Sequence, residues 1–196
     1  LCAFVSLWRK KLNFWNRPTL NSYYLPMKKI DTTFLIKIPL FTGLSEEKLL
    51  KMKQIMQERT IDAGTFIITE NEKGTEMFIL LDGEVEVSKT LLLKVAGHGL
   101  DQRDKLLNKL TADDYAFFGE MALFDESAER SASVTAKTKC SVAVLTHDTF
   151  FQLTESDHEI GYRVLMNIVR IVSGRLEKTT KDVLKLTTAL SLALER

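Results

Sequence analysis

The spacing of apolar residues changes character three times along the chain. From Leu44 to Gln57, "LSEEKLLKMKQIMQ" sets Leu49, Leu50, Met52 and Ile55 at helical spacing. Ser45 stands before them as a cap, and Glu46 and Glu47 fall in the first turn, where the helix dipole favours acids. Upstream, "TTFLIKIPLFTG" predicts a short helix ending near Pro39. From Arg59 to Thr146 the runs become short, β-branched and partly alternating: "TFIITE", "EMFILLDGEVEVSK", "SASVTAKT" and "CSVAVLT". Gly64, Gly74 and Gly83 stand at the breaks and predict turns that need positive φ. Strands this short and this punctuated predict a β-sandwich or barrel. "KVAGHGLDQRDKLLNK", residues 94–109, interrupts the pattern and is expected to be an exposed, mobile hairpin or loop with a helical turn in its second half.

After Thr146 the chain turns helical. "HDTFFQLTES" predicts a short helix capped by Asp148, and from Asp157 the chain runs to its end without proline. Tyr162, Leu165, Val169, Val172, Leu176, Thr179, Val183, Leu186, Leu190 and Ala193 recur in alternating steps of three and four. That seam predicts a coiled-coil homodimer through the C-terminal helix. Its first half, to about Val172, is expected to pack on the β-domain, leaving the second half for self-association. Thr179 is polar on an apolar seam, which suits either a register-setting or a ligand-facing residue.

Composition narrows the partners. Of 196 residues, 45% are hydrophobic and 27% charged, the profile of a soluble domain with its own core. Lys and Arg number 27 against 26 Asp and Glu, so no basic field draws in a phosphate backbone and nucleic acid is not expected as a partner. Cys2 and Cys140 lie far apart, outside metal spacing, and read as free thiols in a reducing cytoplasm. No metal-ligand cluster, nucleophile–base pair or Walker loop is present in the sequence, so an enzyme is not expected. "LCAFVSLW" is too short for a membrane span, and "RKKLNFWNRP" after it alternates aromatics with bases. This start reads as an interfacial amphipathic helix with possible membrane contact, the stub of something longer, or a docking arm. Met27 reads like an ordinary start, which makes residues 1–26 a linker or a matter of where the chain was delimited. The expected division is therefore a basic-aromatic segment at 1–26, a domain at 27–155 and the long helix at 156–196.

Chemistry concentrates in "FGEMALFDESAERSASV", residues 118–134. A Gly119-Glu120 break in an apolar run suits a short helical turn after a strand, whose first N–H groups are unpaired and can hold an anion. Arg130, returned by the next loop, adds a forked donor that suits phosphate, and Ser131 adds a hydroxyl. Glu120, beside a positive helix start and near Arg130, is expected to stay ionised and to accept from a sugar hydroxyl. On residues alone this is either a ribose-phosphate pocket or a structural Glu–Arg pair.

"FGEMALFDESAERSASVTAKT" resembles the phosphate-binding cassette of the cyclic nucleotide-binding domain family, and in sequence it is especially similar to the bacterial catabolite activator branch. Phe118, Gly119, Glu120, Ala122, Leu123, Arg130, Ser131 and Ala132 match the pattern. "GTFIITENEKGTEMFILLDGEVEV" resembles the family's early strands, so the likeness covers roughly residues 41–188. The chain departs from the family at Asp113-Asp114, where Gly-Asp is usual, and in the insert at 94–109.

The resemblance implies an α+β fold: an eight-stranded antiparallel β-roll, a jelly-roll-like double-stranded β-helix, with N-terminal helices and a long C-terminal helix. It implies cAMP or cGMP as ligand, without a metal. It gives Glu120 the ribose hydroxyl, gives Arg130 and Ser131 (with Ala132 beside them) the cyclic phosphate, and adds main-chain N–H groups from Gly119 through Met121 to Ala122. "GRLEKTTKDVL" is similar to the part of the catabolite activator dimer helix that carries an adenine-contacting Thr-Ser pair, and Thr179 and Thr180 stand there. Catabolite activators add a helix-turn-helix after this helix, for which no room is expected here. The function expected is a regulatory sensor that relays ligand occupancy to an unknown effector by moving its C-terminal helix. The alternatives are the cytoplasmic sensor of a membrane channel or transporter, and a degenerate member that binds no nucleotide.

Overall fold

The computed structural model describes residues 30–95, 99–124 and 129–194. Residues 1–29, the basic-aromatic segment and Cys2 among them, lie outside the described part. Among the described residues are eight strands: β1 (Gln57–Ile61), β2 (Phe66–Ile68), β3 (Glu76–Asp82), β4 (Glu84–Val95), β5 (Gly99–Thr111), β6 (Phe117–Phe118), β7 (Ser133–Ala136) and β8 (Cys140–Thr146). They form two four-stranded antiparallel sheets, ordered β1-β8-β3-β6 and β2-β7-β4-β5. The helices are α1 (Thr32–Leu35), α2 (Glu46–Gln54), α3 (His147–Ser156) and α4 (His158–Leu194), with a 3-10 turn at Pro39–Phe41. This is the expected α+β roll flanked by helices.

The apolar runs of β3 and β8 are nearly continuous because both faces of those strands are covered. Phe78 and Leu80 of β3, with Val142 and Val144 of β8, fill the inside of the roll. The alternate residues Met77, Ile79, Leu81, Ala143 and Leu145 pack outward against Leu40, Phe41, Leu49, Met52, Phe150, Ile160 and Val164 of the helical layer. Side chains of this size contribute about 1.5–3 kcal/mol each when fully buried.

Four local expectations are corrected. The helical turn expected within 94–109 is not found among the described residues, because β4 and β5 pair from Glu84↔Thr111 out to Val95↔Gly99. β7 pairs with β4 only over Val85–Ser88, so beyond Lys89 the hairpin is a two-stranded ribbon. Across that ribbon Thr90 Oγ1 donates to Asp104 Oδ1 at 2.9 Å. α3 is capped by Thr146, whose Oγ1 accepts from the Thr149 N–H at 3.3 Å, while Asp148 sits one residue into the first turn. Gly74 is not at positive φ, unlike Gly64 (+83°) and Gly83 (+94°). Lastly, α4 packs on the domain through Ile160, Val164, Asn167 and Ile168, a face offset from the predicted seam. Tyr162, Leu165, Val169 and Val172 of that seam are all exposed.

Candidate functional site

A cavity of about 310 Å³ opens between the two sheets and α4. Its floor is the cassette. β6 ends at Phe118, Gly119 turns the chain at φ +76°, and a 3-10 turn runs from Glu120 to Leu123. Only glycine takes that φ without strain. The expected turn after a strand is therefore present, and no side chain caps its start. One of the expected donors is already engaged, because the Ala122 N–H donates to the Gly119 carbonyl at 3.2 Å.

Arg130 comes back to this turn from the loop before β7, and two layers hold it. Its main chain is gripped by the β2–β3 turn: the Arg130 N–H donates to the Glu72 carbonyl and the Asn71 N–H donates to the Arg130 carbonyl, each at 2.9 Å. Asn71 adopts φ 66° to make that turn. The guanidinium donates from Nη2 to the Glu76 carbonyl at 2.8 Å and from Nη1 to the Gly119 carbonyl at 3.4 Å. Glycine is needed on both sides of it. A Cβ at Gly74 would lie 2.7 Å from Nη2, and one at Gly119 would lie 2.9 Å from Nη1. Burial disfavours the Arg130 charge, opposed by the Glu76 carboxylate, and the pKa falls below its ordinary value. A guanidinium nevertheless remains cationic at neutral pH. Two of its five N–H donors are spent on carbonyls, which leaves a fixed cation with donors to spare beside the turn.

The rim is fixed by a polar chain. Lys89 Nζ donates to the Ser131 carbonyl at 3.0 Å and pairs with Glu70 at 3.2 Å. Glu70 also accepts from the Thr90 N–H at 2.9 Å. That backbone hydrogen bond, followed by the lysine, holds the Glu70 carboxyl below its usual range.

Phe118, Gly119, Glu120, Met121, Ala122, Arg130, Ser131 and Ala132 are thus brought together at one cavity. Thr179 and Thr180 are not among its lining residues. Their hydroxyls donate to the carbonyls one turn back, Arg175 and Leu176, both at 2.9 Å. Glu120 lines the same cavity as Arg130, and its ion partner is Arg175 of α4, with Nη1 to Oε1 at 2.6 Å. The Arg175 guanidinium also lies 5.2 Å from the centre of the Phe117 ring. Several wall residues escaped the sequence reading: Val87 of β4, Asn108 and Leu110 of β5, and Val134 of β7. They become neighbours only through strand pairing, Val87 facing both Asn108 and Val134. Glu129, one of the loop acids that the sequence sets beside the anion site, lines the cavity; Arg175 was missed, and nothing in the linear pattern separates it from Arg170 or Lys178.

Among the described residues no group of three or more His, Cys, Asp or Glu could hold a metal ion, and no helix is long and apolar enough to cross a membrane. Cys140 is a buried free thiol, with burial pushing its pKa up.

A sequence model of the cyclic nucleotide-binding domain matches residues 58–157, about half of the chain. The cAMP-dependent protein kinase regulatory subunit of Mycosarcoma maydis is 36% identical over 149 residues, covering 76% of this chain and 25% of that protein. The cGMP-dependent protein kinase 2 of Homo sapiens is 30% identical over 166 residues, covering 82% and 20%. The chain therefore spans about a quarter or less of the length of these kinase relatives. Among solved structures, a cyclic nucleotide-binding domain from Methylobacillus flagellatus superposes with a TM-score of 0.63 at 27% identity, covering 78% of this chain and 80% of that one. With the roll, the Gly119 turn and the returning arginine all in place, the chain belongs to the cyclic nucleotide-binding domain family.

Proposed function

We propose that the protein is a regulatory sensor that takes cAMP or cGMP into the cavity and passes occupancy on through α4. The observation that carries this reading is the arginine pinned beside the Gly119 turn. Its guanidinium is oriented before any ligand arrives, so an anion meets donors that need no reorganisation. In this reading the cyclic phosphate sits against Arg130, Ser131 and the main-chain N–H groups at the start of the Glu120 turn. The phosphate ring of a 3′,5′-cyclic nucleotide uses two of the ribose oxygens, so its 2′-hydroxyl is the group left for Glu120. The apolar wall of Val87, Leu110 and Val134 takes the sugar and base. Thr179 and Thr180 reach the base as the helix moves towards the roll.

The relay follows from where α4 is held. A ligand bound at the cavity changes what the helix contacts, and a helix with two positions carries that change outward. The exposed stripe of Leu176, Val183, Leu186 and Leu190 is the surface on which we place a second copy of the chain, as a parallel pair.

Calorimetric titration with cAMP and cGMP tests the reading. The wild-type protein should bind at least one of them, and Arg130→Ala should weaken that binding by a hundredfold or so, the loss of a charge-assisted contact in a desolvated site. No heat from either nucleotide at high micromolar concentration would overturn it.

A further inference from the structure

Alternation along β4 sets Val85, Val87 and Lys89 on one face of the strand. Val85 is buried in the roll and Val87 lines the cavity, so the pattern carries a lysine to the place where a third apolar residue would continue it. The place is a poor one for sheet stability, because Lys105 stands directly opposite on β5 and like charges across strands repel. What Lys89 does there is reach the cassette. β7 keeps its ladder to β4 as far as Ser88↔Ser133, and Ser131 and Ala132 lie beyond it. Lys89 Nζ takes up where the ladder ends, donating to the Ser131 carbonyl at 3.0 Å.

Glu70 braces the lysine. Its side chain is 11% exposed against 47% for Lys89, and its two oxygens are divided: Oε1 pairs with Lys89 Nζ at 3.2 Å, and Oε2 accepts from the Thr90 N–H at 2.9 Å. The Glu70 N–H donates to Ser133 Oγ at 3.0 Å, which ties the end of β2 to β7 from the other side. The stretch leading into β7 is thus held from both neighbours by side chains. A carbonyl held at one end of a planar peptide fixes that plane, and with it the setting of the residue that bears the carbonyl. Ser131 is that residue. It lines the cavity next to Arg130, and neither its N–H nor its hydroxyl makes a hydrogen bond among the described residues.

We propose that Lys89 is a positioning residue for nucleotide binding: through the Ser131 carbonyl it sets the Ser131 N–H and hydroxyl for the exocyclic oxygens of the cyclic phosphate, with Glu70 as its brace. The proposal rests on the reading under Proposed function. Lys89 and Glu70 together are neutral, so their effect is one of orientation and not of added charge. Donors fixed before the ligand arrives spare it the cost of ordering them.

Affinities for cAMP and cGMP test it in wild type, Lys89→Met, Lys89→Arg and the double variant Lys89→Met/Glu70→Gln. Each is measured again with the Sp and Rp phosphorothioates, which put sulfur at one or the other exocyclic position. Lys89→Met should bind the nucleotides about tenfold more weakly, through loss of a charge-assisted bond that holds two donors in place. Its Sp-to-Rp affinity ratio should move by about threefold or more, because one exocyclic position no longer meets fixed donors. Lys89→Arg should restore most of both, since a guanidinium can serve carbonyl and carboxylate together. The double variant keeps the formal charge of wild type and should stay as weak as Lys89→Met. A double variant that regains wild-type affinity would overturn the proposal, because the loss would then come from an unpaired Glu70 carboxylate opposing the phosphate. So would a Lys89→Met protein with wild-type affinity and a wild-type ratio. If wild type binds neither nucleotide, the functional reading fails, and the tie is judged without ligand by hydrogen exchange at the Arg130 N–H, which the Glu72 carbonyl holds. Lys89→Met and the double variant should then each quicken that exchange, and unchanged exchange in both overturns the proposal.

Discussion

The two halves of α4 share a helix and little else. From His158 to Ile171 the helix is anchored at three levels. Ile160, Val164 and Ile168 are buried against the helical layer. Asn167, also buried, donates from Nδ2 to the carbonyls of Leu40 and Thr42 at 3.0 and 2.8 Å. At the entrance, Asp157 bonds Lys48 and Lys51 of α2. From Val172 onward, all of this stops. The 37 residues of α4 span about 55 Å, and from Val172 on the contact described with the domain is that of Arg175 with Glu120 and Phe117. The difference lies in the apolar pattern. The proximal half carries two apolar faces, one buried and one exposed, whereas the distal half carries apolar residues with nothing from its own domain to cover them. An isolated helix is marginal in water even at favourable composition, so the distal half depends on what it meets.

The sharpest way to break this comparison is to remove one apolar side chain from each half. Ile168→Ala should lower unfolding stability by about 2–4 kcal/mol, because it leaves a hole in a packed layer. Leu186→Ala, at a residue 71% exposed, should stay within about 0.5 kcal/mol when unfolding is followed at high dilution. The two should trade places in sedimentation at micromolar concentration. There Leu186→Ala weakens the proposed self-association and Ile168→Ala, in its folded fraction, leaves it alone. Equal losses of stability at both sites would mean that the distal half is packed in solution.

Much of this contrast was legible in the sequence, but not its geometry. The seam from Tyr162 to Ala193 follows plainly from spacing, as does the helix itself. That the proximal half also turns a second face, through Ile160, Val164 and Ile168, onto the domain was not, because a stripe three and four residues apart does not say which neighbour covers it. The cassette behaved in the same way. Phe118 to Ala122 and Arg130 to Ala132 are contiguous segments with a strong local pattern, and both lie at the cavity. Arg175, 45 residues past Arg130, comes to Glu120 only through the tertiary fold, which brings α4 to the cavity. Gly74 misled for a similar reason. Its placement at a break suggested a turn of positive φ, whereas what it provides is room for the Arg130 guanidinium.

Glycine offers a subtler comparison, since α4 has one in each half. At Gly161 an added Cβ would sit 2.9 Å from Cβ of Thr154 in α3, while at Gly174 nothing lies within 4 Å. The same substitution should therefore have opposite signs. Gly174→Ala should stabilise the distal helix by up to about 1 kcal/mol through propensity alone. Gly161→Ala gains the same propensity but forces α3 and α4 apart, for a net loss of about 1 kcal/mol or more. Thermal unfolding, with hydrogen exchange over residues 172–180 for the distal variant, reads both. A stabilised Gly161→Ala would show that the α3–α4 contact yields easily.

The smallest effect expected concerns the entrance to the proximal half. Hydrogen bonds from Lys48 and then Lys51 pull the Asp157 pKa down to about 2 from its ordinary 3.8. A carboxyl whose folded-state pKa is depressed adds stability that is complete above the unfolded value and is lost as pH falls through the folded one. The Asp157 contribution should therefore hold above about pH 4 and vanish between about pH 4 and pH 2. The two lysines are shifted the opposite way, upward, by the same carboxylate, so their share is present at neutral pH and disappears only in strong alkali. Asp157→Asn removes the acid-side dependence. Its Tm should begin lower than wild type at pH 6 and converge with it as both are taken to pH 2. Lys48→Met and Lys51→Met should each give a partial version, with Lys48→Met the larger. Parallel Tm curves for wild type and Asp157→Asn across that interval would mean that the α2–α4 junction is held by packing around Leu49, Ile160 and Val164 and owes nothing to the ion pairs.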